Sequence, residues 1–327
     1  MMIQNKEGIA VAGSVLVDKI NEIRAYPAAG ELTQIRSLQQ AAGGCVPNVA
    51  IDLKKILPAL PVSAIGKVGN DPEGAFVEEL LRENGVDTRG LRVMQTDRTS
   101  FTEVMSIPGG QRTFFVYAGA SGDFGLSDMD FSRINAKLLH LGYFLLLEKV
   151  DNGDGLEILK SAKAAGMETS IDLVSENSDR YGLVLSCLPY TDHLIVNELE
   201  AGRLTGIEPA AENLEAIARK LKALGVQKKV IIHMPERAVI LSEAGFSALG
   251  SYILPEGYIK GTTGAGDAFC AGALIGIYRG WDDRKILEFA SACAVMALGS
   301  ADATGGMVAE QEILAFCKDL PRREETL

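Results

Sequence analysis

Residues 261–274 read GTTGAGDAFCAGAL, a glycine-rich turn running into a helix with small residues on one face. Gly264 and Gly266 let the backbone approach a ligand closely. The amides of Ala265, Gly266 and Asp267 fall at a helix start, where they point outward unpaired and make an anion site. A carboxylate in the middle of an anion site repels its ligand. It is useful there if its task is to take a proton from a nucleophile beside a phosphate, which makes Asp267 a candidate general base. The plainer alternative is a helix N-cap over a tight turn, and this segment alone leaves both open. It is not a P-loop, because no Gly-Lys-Ser/Thr follows. A dinucleotide fingerprint also fits poorly, since the glycines are spaced G-x-x-G-x-G and lie late in the chain.

A second stretch, 41–74, reads AAGGCVPNVAIDLKKILPALPVSAIGKVGNDPEG. Paired glycines are followed by Asn48 and a helix, then by a strand ending in GKVGND. Together the two segments resemble both signatures of the PfkB, or ribokinase-like, family of carbohydrate kinases. They stand in the right order, over 200 residues apart, and the resemblance runs from about residue 8 to 318.

That resemblance implies a doubly wound α/β core, with a mostly parallel sheet flanked by helices, and a small β-sheet lid that often forms the dimer contact. It implies ATP-dependent phosphorylation of a hydroxyl, a primary CH2OH, of a sugar or sugar acid, with Mg2+. By the same resemblance Asp267 is the catalytic base and Gly264, Ala265 and Gly266 form its anion hole. Asp18, in GSVLVDKI, matches the aspartate that holds sugar hydroxyls, and one carboxylate accepts two such hydrogen bonds. Gly43, Gly44 and Asn48 match the sugar-binding glycine pair and asparagine, and Arg112 matches a lid arginine that reaches substrate. Asn197 and Glu200, in N-E-L-E, match the N-x-x-E motif that organises magnesium through water, an ion that takes oxygen ligands and keeps several waters. Nucleotide contacts are expected from Asn197, Glu200, His233, Thr263, Gly264, Gly266 and Ser291. Beside these stand plainer readings: solvated lid charges for Asp18 and Arg112, helix caps for Asn48 and Asn197.

Three positions depart from the pattern. Many members carry Asp where this chain has Gly261, so the monovalent-cation (K+) site lacks a side chain and potassium dependence is not expected. Many carry Thr-x-Gly where this chain reads IIHMPERAV, with His233, Pro235 and Glu236. Ribokinases proper have Lys and Glu where Cys45 and Gly142-Tyr143 stand, so ribose is not singled out. A nucleoside kinase on the same fold and a non-catalytic sugar sensor are the rival readings. The sensor would be expected to lose Asp267 or the anion turn. An NAD-dependent oxidoreductase fits least, because no early G-x-G-x-x-G follows the first strand.

The elements that must position these residues alternate between strand-length apolar runs and helix-length amphipathic runs. Strands are predicted at 9–13, 62–68, 138–142, 168–172, 193–196 and 229–233. Helices are predicted at 47–57, 72–84, 153–165, 198–205, 210–224, 265–279 and 283–298. The alternation argues for βαβ units and a mostly parallel sheet, whose ligands bind beyond the carboxyl ends of the strands. Gly13, Gly142, Asp172, Asn197 and His233 fall there. Residues 14–42 and 97–118 read as strand without helix, and PGGQ between FTEVMSI and RTFFVYA signals a hairpin. These two segments are the expected lid, with 1–13, 43–96 and 119–327 as the core. Phe114, Phe115 and Tyr117 read as lid packing, His140 and His193 as structural, and the tail RREETL as frayed.

The whole chain is consistent with that plan. Its 327 residues, 47% apolar, suffice for a large core. With 32 basic and 43 acidic residues the net charge is −11, which disfavours nucleic acid as a partner. Five scattered cysteines, without a CxxC pair, read as reduced thiols in a cytoplasmic protein. No signal peptide opens the sequence and no apolar run approaches a membrane span, so no membrane partner is expected. A homodimer through the lid is.

Overall fold

The computed structural model describes residues 6–108 and 111–324. In chain order the elements are β1 (Ile9–Gly13), β2 (Leu16–Ile23), β3 (Ile35–Gly43), α1 (Cys45–Ile56), β4 (Val62–Gly69), α2 (Pro72–Glu83), β5 (Asp87–Met94), β6 (Ser100–Ser106) and β7 (Arg112–Tyr117). They continue with the single turn α3 (Gly119–Gly122), β8 (Leu138–Phe144), α4 (Gly155–Ala164), β9 (Glu168–Leu173), β10 (His193–Asn197), α5 (Glu198–Thr205), α6 (Leu214–Ala223) and β11 (Lys229–His233). The last are β12 (Arg237–Ser242), β13 (Gly245–Gly250), α7 (Ala265–Tyr278), α8 (Asp283–Leu298) and α9 (Glu310–Cys317). All the predicted strands and helices are present with ends shifted by a few residues. Unpredicted are β5, the β12–β13 hairpin, α9 and a 3-10 run at Arg180–Tyr190. Among the described residues no helix is long and apolar enough to cross a membrane.

Nine strands form the large sheet, in the order β13-β12-β11-β10-β9-β8-β1-β4-β5. All neighbours are parallel except β11–β12 and β12–β13. Successive side chains of a strand point to opposite faces, and β1 shows it: Ile9 and Val11 join one core with α1, α7 and α8, while Ala10 and Ala12 join another with α4, α5 and α6. The apolar runs of these strands are therefore buried on both faces. Four more strands, ordered β3-β2-β6-β7, form the small sheet from the two helix-free segments. The predicted hairpin joins β6 to β7, with Gly109 and Gly110 of its turn outside the described residues.

Two sequence expectations are corrected on the surface. Phe114 and Phe115 are 57% and 58% exposed, because β7 is an outer strand of the small sheet. At the C-terminus Arg322 is tied down: its guanidinium lies 3.6 Å over the Tyr252 ring and donates to the Gly250 carbonyl, while residues 325–327 lie outside the described residues.

Strand order reverses between β1 and β8, since the chain leaves β1 toward β4 and leaves β8 toward β9. Such a switch point opens a crevice at the carboxyl ends of the strands. Gly13 and Gly142 are partners there, and neither position has room for a side chain. A Cβ on Gly13 would stand 2.4 Å from the Gly142 carbonyl oxygen, and one on Gly142 would stand 1.9 Å from the Cys45 sulfur. The start of α1 can drop into the crevice only because both are glycine. Gly142→Ala is therefore expected to destabilise the protein by about 1–3 kcal/mol through overpacking, and Cys45→Ala in the same chain should recover part of that loss. Urea unfolding of the parent and the two variants checks this, and a Gly142→Ala midpoint equal to the parent's would contradict the packing described.

Candidate functional site

The 261–267 turn lies beyond the sheet's carboxyl edge. Gly264 occupies the cap position of α7 with φ +78°, and a Cβ there would meet Ala303 at 2.5 Å. Asp267 is thus not the cap but a residue of the first helical turn. Its Oδ2 accepts from Asn48 Nδ2 at 2.8 Å and from the Tyr143 hydroxyl at 3.0 Å. The carboxyl is buried, and burial raises its pKa to about 7, helped by the charge of Asp172 and opposed by the two hydrogen bonds. The amides of Gly266 and Asp267 have no acceptor among the described residues. That of Ala265 differs from expectation, because the turn closes on itself and Ala265 N donates to the Thr262 carbonyl at 3.3 Å.

Asn48 sits inside α1 rather than at its cap. Its Oδ1 is buried without a hydrogen-bond partner, an acceptor that burial makes costly to leave unmade. Asp18 on β2 lies over Gly43, whose Cβ would fall 2.5 Å from Asp18 Oδ2. Burial raises the Asp18 pKa to about 6, against a hydrogen bond from Thr102. Gly44 caps α1 and is followed by Cys45, whose amide donates to Ser14 Oγ. Arg112 reaches from β7 to the turn and donates to Thr263 Oγ1 at 3.2 Å.

Asn197 is both cap and cavity residue. It forms a capping box with Glu200 at the start of α5. Glu200 Oε1 accepts from Ser175 at 2.8 Å and from Asn197 Nδ2 at 2.9 Å, and burial lifts its pKa to about 8. His233 ends β11 beside Asn197 and packs at 4.8 Å against the Phe269 ring. Burial lowers its pKa to about 4, so near neutral pH it offers no cationic contact to a phosphate, only a neutral ring nitrogen. His193 lies at the other end of its strand and bonds to Glu168. Two cavities meet at Asn197, His233 and Gly266. A polar one of about 220 Å³ holds Asp267, Asp172 and Glu200. An apolar one of about 610 Å³ is lined by Pro235, Ile253, Phe269, Ser291 and Val295, within the size range of ligand pockets.

Sequence reasoning missed the role of Tyr143, Asp172 and Ser175 as a group. A register shift between Leu141 and Phe144 interrupts the β8–β9 ladder, as a bulge does when it re-aims a side chain. Tyr143 there has φ +63°, and its amide donates to Asp172 Oδ1 at 2.6 Å. The twist sends its hydroxyl to Asp267. Only the unusual Gly142-Tyr143 pair hinted at this.

Residues 6–309 match the family model described as pfkB family carbohydrate kinase. A ribokinase from Arabidopsis thaliana is 26% identical over 316 residues, covering 95% of this chain and 81% of that protein. A probable fructokinase-7 from the same plant is 28% identical over 323 residues, covering 93% and 91%. Among solved structures, Arabidopsis thaliana ribokinase complexed with ribose and ATP superposes with a TM-score of 0.83 at 26% identity, over 96% of this chain and 99% of that one. A putative ribokinase II from E. coli, in complex with ATP and Mg2+, shares the fold with a TM-score of 0.78 at 21% identity, over 95% and 99%.

The raised pKa of Asp267 has a stability consequence. Below about pH 4 the carboxyl is protonated in both folded and unfolded chains. Between about 4 and 7 the folded chain keeps the proton that the unfolded chain loses, so stability falls as pH rises, by up to about 4 kcal/mol for a shift of about three units. Asn does not titrate. The stability of Asp267→Asn relative to the parent should therefore climb between pH 4.5 and 8. Unfolding both proteins across that range tests it, and a constant difference would show that the carboxyl titrates alike in both states.

Proposed function

The chain belongs to the pfkB family of carbohydrate kinases and is a sugar kinase with a ribokinase-like fold, and from there we propose that it moves the γ-phosphoryl of ATP to a primary hydroxyl of a sugar or sugar acid. One observation carries the reading. Asp267 sits buried beside the free amides of an anion turn, with one oxygen held by Asn48 and Tyr143 and a pKa of about 7. A base poised near the working pH is effective, and here it is fixed in place before substrate arrives.

The chemistry follows from the neighbours. The substrate hydroxyl gives its proton to Asp267 as its oxygen attacks phosphorus. The amides of Gly266 and Asp267, with Gly264 shaping the turn, stabilise charge on the transferring phosphoryl group. Asp18 and the unpaired Oδ1 of Asn48 receive the other sugar hydroxyls over Gly43 and Gly44. Arg112, held at Thr263, brings positive charge to the same turn. The apolar cavity with Ser291 suits the adenine end of ATP, and His233 lies where it meets the polar cavity. Ser175, Asn197 and Glu200 line the polar cavity with oxygen atoms, the donor type Mg2+ would take through water. Magnesium would supply charge neutralisation on the nucleotide phosphates. Segments 14–42 and 97–118 act as a lid that excludes water. At Gly261 a Cβ would stand 2.9 Å from the Ser300 carbonyl oxygen, so this position supplies no side-chain cation ligand, in keeping with turnover that does not depend on potassium.

The lid also carries the assembly reading. Leu38 on β3 and Phe114, Phe115 and Val116 on β7 are exposed, and both strands are open edges of the small sheet. Unpaired edges invite pairing with another chain. Light scattering at micromolar concentration should give a homodimer, and a species of one chain's mass alone would overturn this.

An ADP-release screen over pentoses, hexoses, sugar acids and nucleosides should find a sugar or sugar-acid substrate, with turnover little changed between potassium and a large organic cation. On that substrate Asp267→Asn is expected to lower kcat by at least about 10²-fold while ATP binding holds or tightens. Turnover within a few-fold of the parent would remove Asp267 from the role of base. Turnover on nucleosides alone would reassign the substrate.

A further inference from the structure

We propose that the floor of the polar cavity is a second metal site, in which Cys45, His140, Asp172 and Cys270 take one zinc ion and thereby arrest the kinase. The four residues come from α1, β8, β9 and α7 and converge where those elements cross. One ligand atom from each of Cys45, His140 and Asp172 lies within 4.8 Å of the other two. His140 Nε2 is 3.3 Å from Asp172 Oδ2 and 3.5 Å from the Cys270 sulfur. A tetrahedral zinc with bonds of about 2.3 Å to sulfur and about 2.0–2.1 Å to nitrogen or oxygen sets its ligand atoms about 3.3–3.8 Å apart. Two edges of that tetrahedron, from His140 to Asp172 and from His140 to Cys270, are already at length, and Cys45 and Cys270 move in to complete it.

The donor set selects the ion. Two sulfurs, an imidazole and a carboxylate suit zinc and similar thiophilic ions, whereas magnesium takes oxygens and water. An outer shell is also present. Ser170 Oγ lies 3.1 Å from His140 Nδ1, which leaves Nε2 facing the cluster. The Tyr143 amide binds Asp172 Oδ1 and leaves Oδ2 toward the cluster. Such partners orient ligands and tune affinity. Asp172 and Cys270 line the polar cavity, so an ion enters from the active-site side. Binding expels the two thiol protons to solvent.

The site is wired to the base. Cys270 is one helical turn after Asp267, Cys45 is three residues before Asn48, and Asp172 holds the backbone of Tyr143. Drawing these ligands onto an ion moves the helical turn that carries Asp267 and both groups, Asn48 and Tyr143, that hold its carboxyl. This arrest rests on Asp267 being the base, but the metal binding does not.

The test separates the two. The full chain, stripped with chelator and free of substrate, is titrated with cobalt(II) and then with zinc. Expected are one ion per chain, a visible spectrum of tetrahedral thiolate-bound cobalt, and its displacement by zinc. Cys45→Ala/Cys270→Ala should weaken binding at least about tenfold, the scale on which even outer-shell changes act. Cys187→Ala/Cys317→Ala should bind as the parent does. Absence of the tetrahedral cobalt spectrum in the parent overturns the site whether or not any variant folds, and so does binding that survives loss of Cys45 and Cys270. Zinc loading that leaves turnover unchanged overturns the arrest alone.

Discussion

The Asp267 carboxyl is out of water, and its Oδ2 is held by Asn48 from α1 and Tyr143 from the end of β8. A buried carboxylate without donors is expensive, so these two hydrogen bonds require α1, β8 and α7 to meet at one point. That requirement explains the crevice. The helices can approach only if glycines stand at the end of β1 and near the end of β8, and Gly13 and Gly142 leave no room for anything larger. Tyr143 can reach Asp267 only through a positive φ just after that glycine, a strained conformation of the kind that clusters at functional sites. The small sheet then closes over the same point, with Arg112 resting on Thr263.

The electrostatics of the site follow from crowding. Asp267, Asp172, Asp18 and Glu200 share a small volume, and burial rather than pairing dominates the shifts of Asp267, Asp18 and Glu200. Each is pushed toward neutrality, which suits a site that must admit a polyanion. The positive contribution comes from backbone amides and from Arg112 on the small sheet, while His233 stays neutral. On the proposed reading, attraction for phosphate depends on the geometry of the 264–267 turn and on closure of the small sheet more than on fixed cations. The same crowding gathers soft donors beside the carboxylates, with Cys45 and Asp172 grouped about the His140 imidazole and Cys270 against its Nε2.

The strands and helices of the core were legible because their signals are local: apolar runs that are buried on both faces, amphipathic runs between them, and a glycine turn that opens a helix. The two-segment pattern of glycines, asparagine and aspartate carried the family, because close backbone approach and a buried carboxylate at a helix start allow few residue types. Asp267, Asn48 and Gly264 were singled out as candidates in this way, and the fold brings Asn48 onto Asp267. Less was legible where the signal is weak or absent: β5, with its mixed burial at the sheet edge, and the β12–β13 hairpin read as neither strand nor helix.

What the sequence by itself determined is which residues can do chemistry and which elements carry them. It could not decide who touches whom. That Asn48 donates to Asp267 instead of capping α1, that Ala265 spends its amide on Thr262, that Tyr143 turns into the cavity, and that His140 faces Asp172 and Cys270 are all contacts between residues distant in the chain or outcomes of one backbone torsion. Periodicity reports the face of a strand or helix on which a residue lies. The partner on the far side of that face is set by how the layers pack, and only the folded chain holds that information.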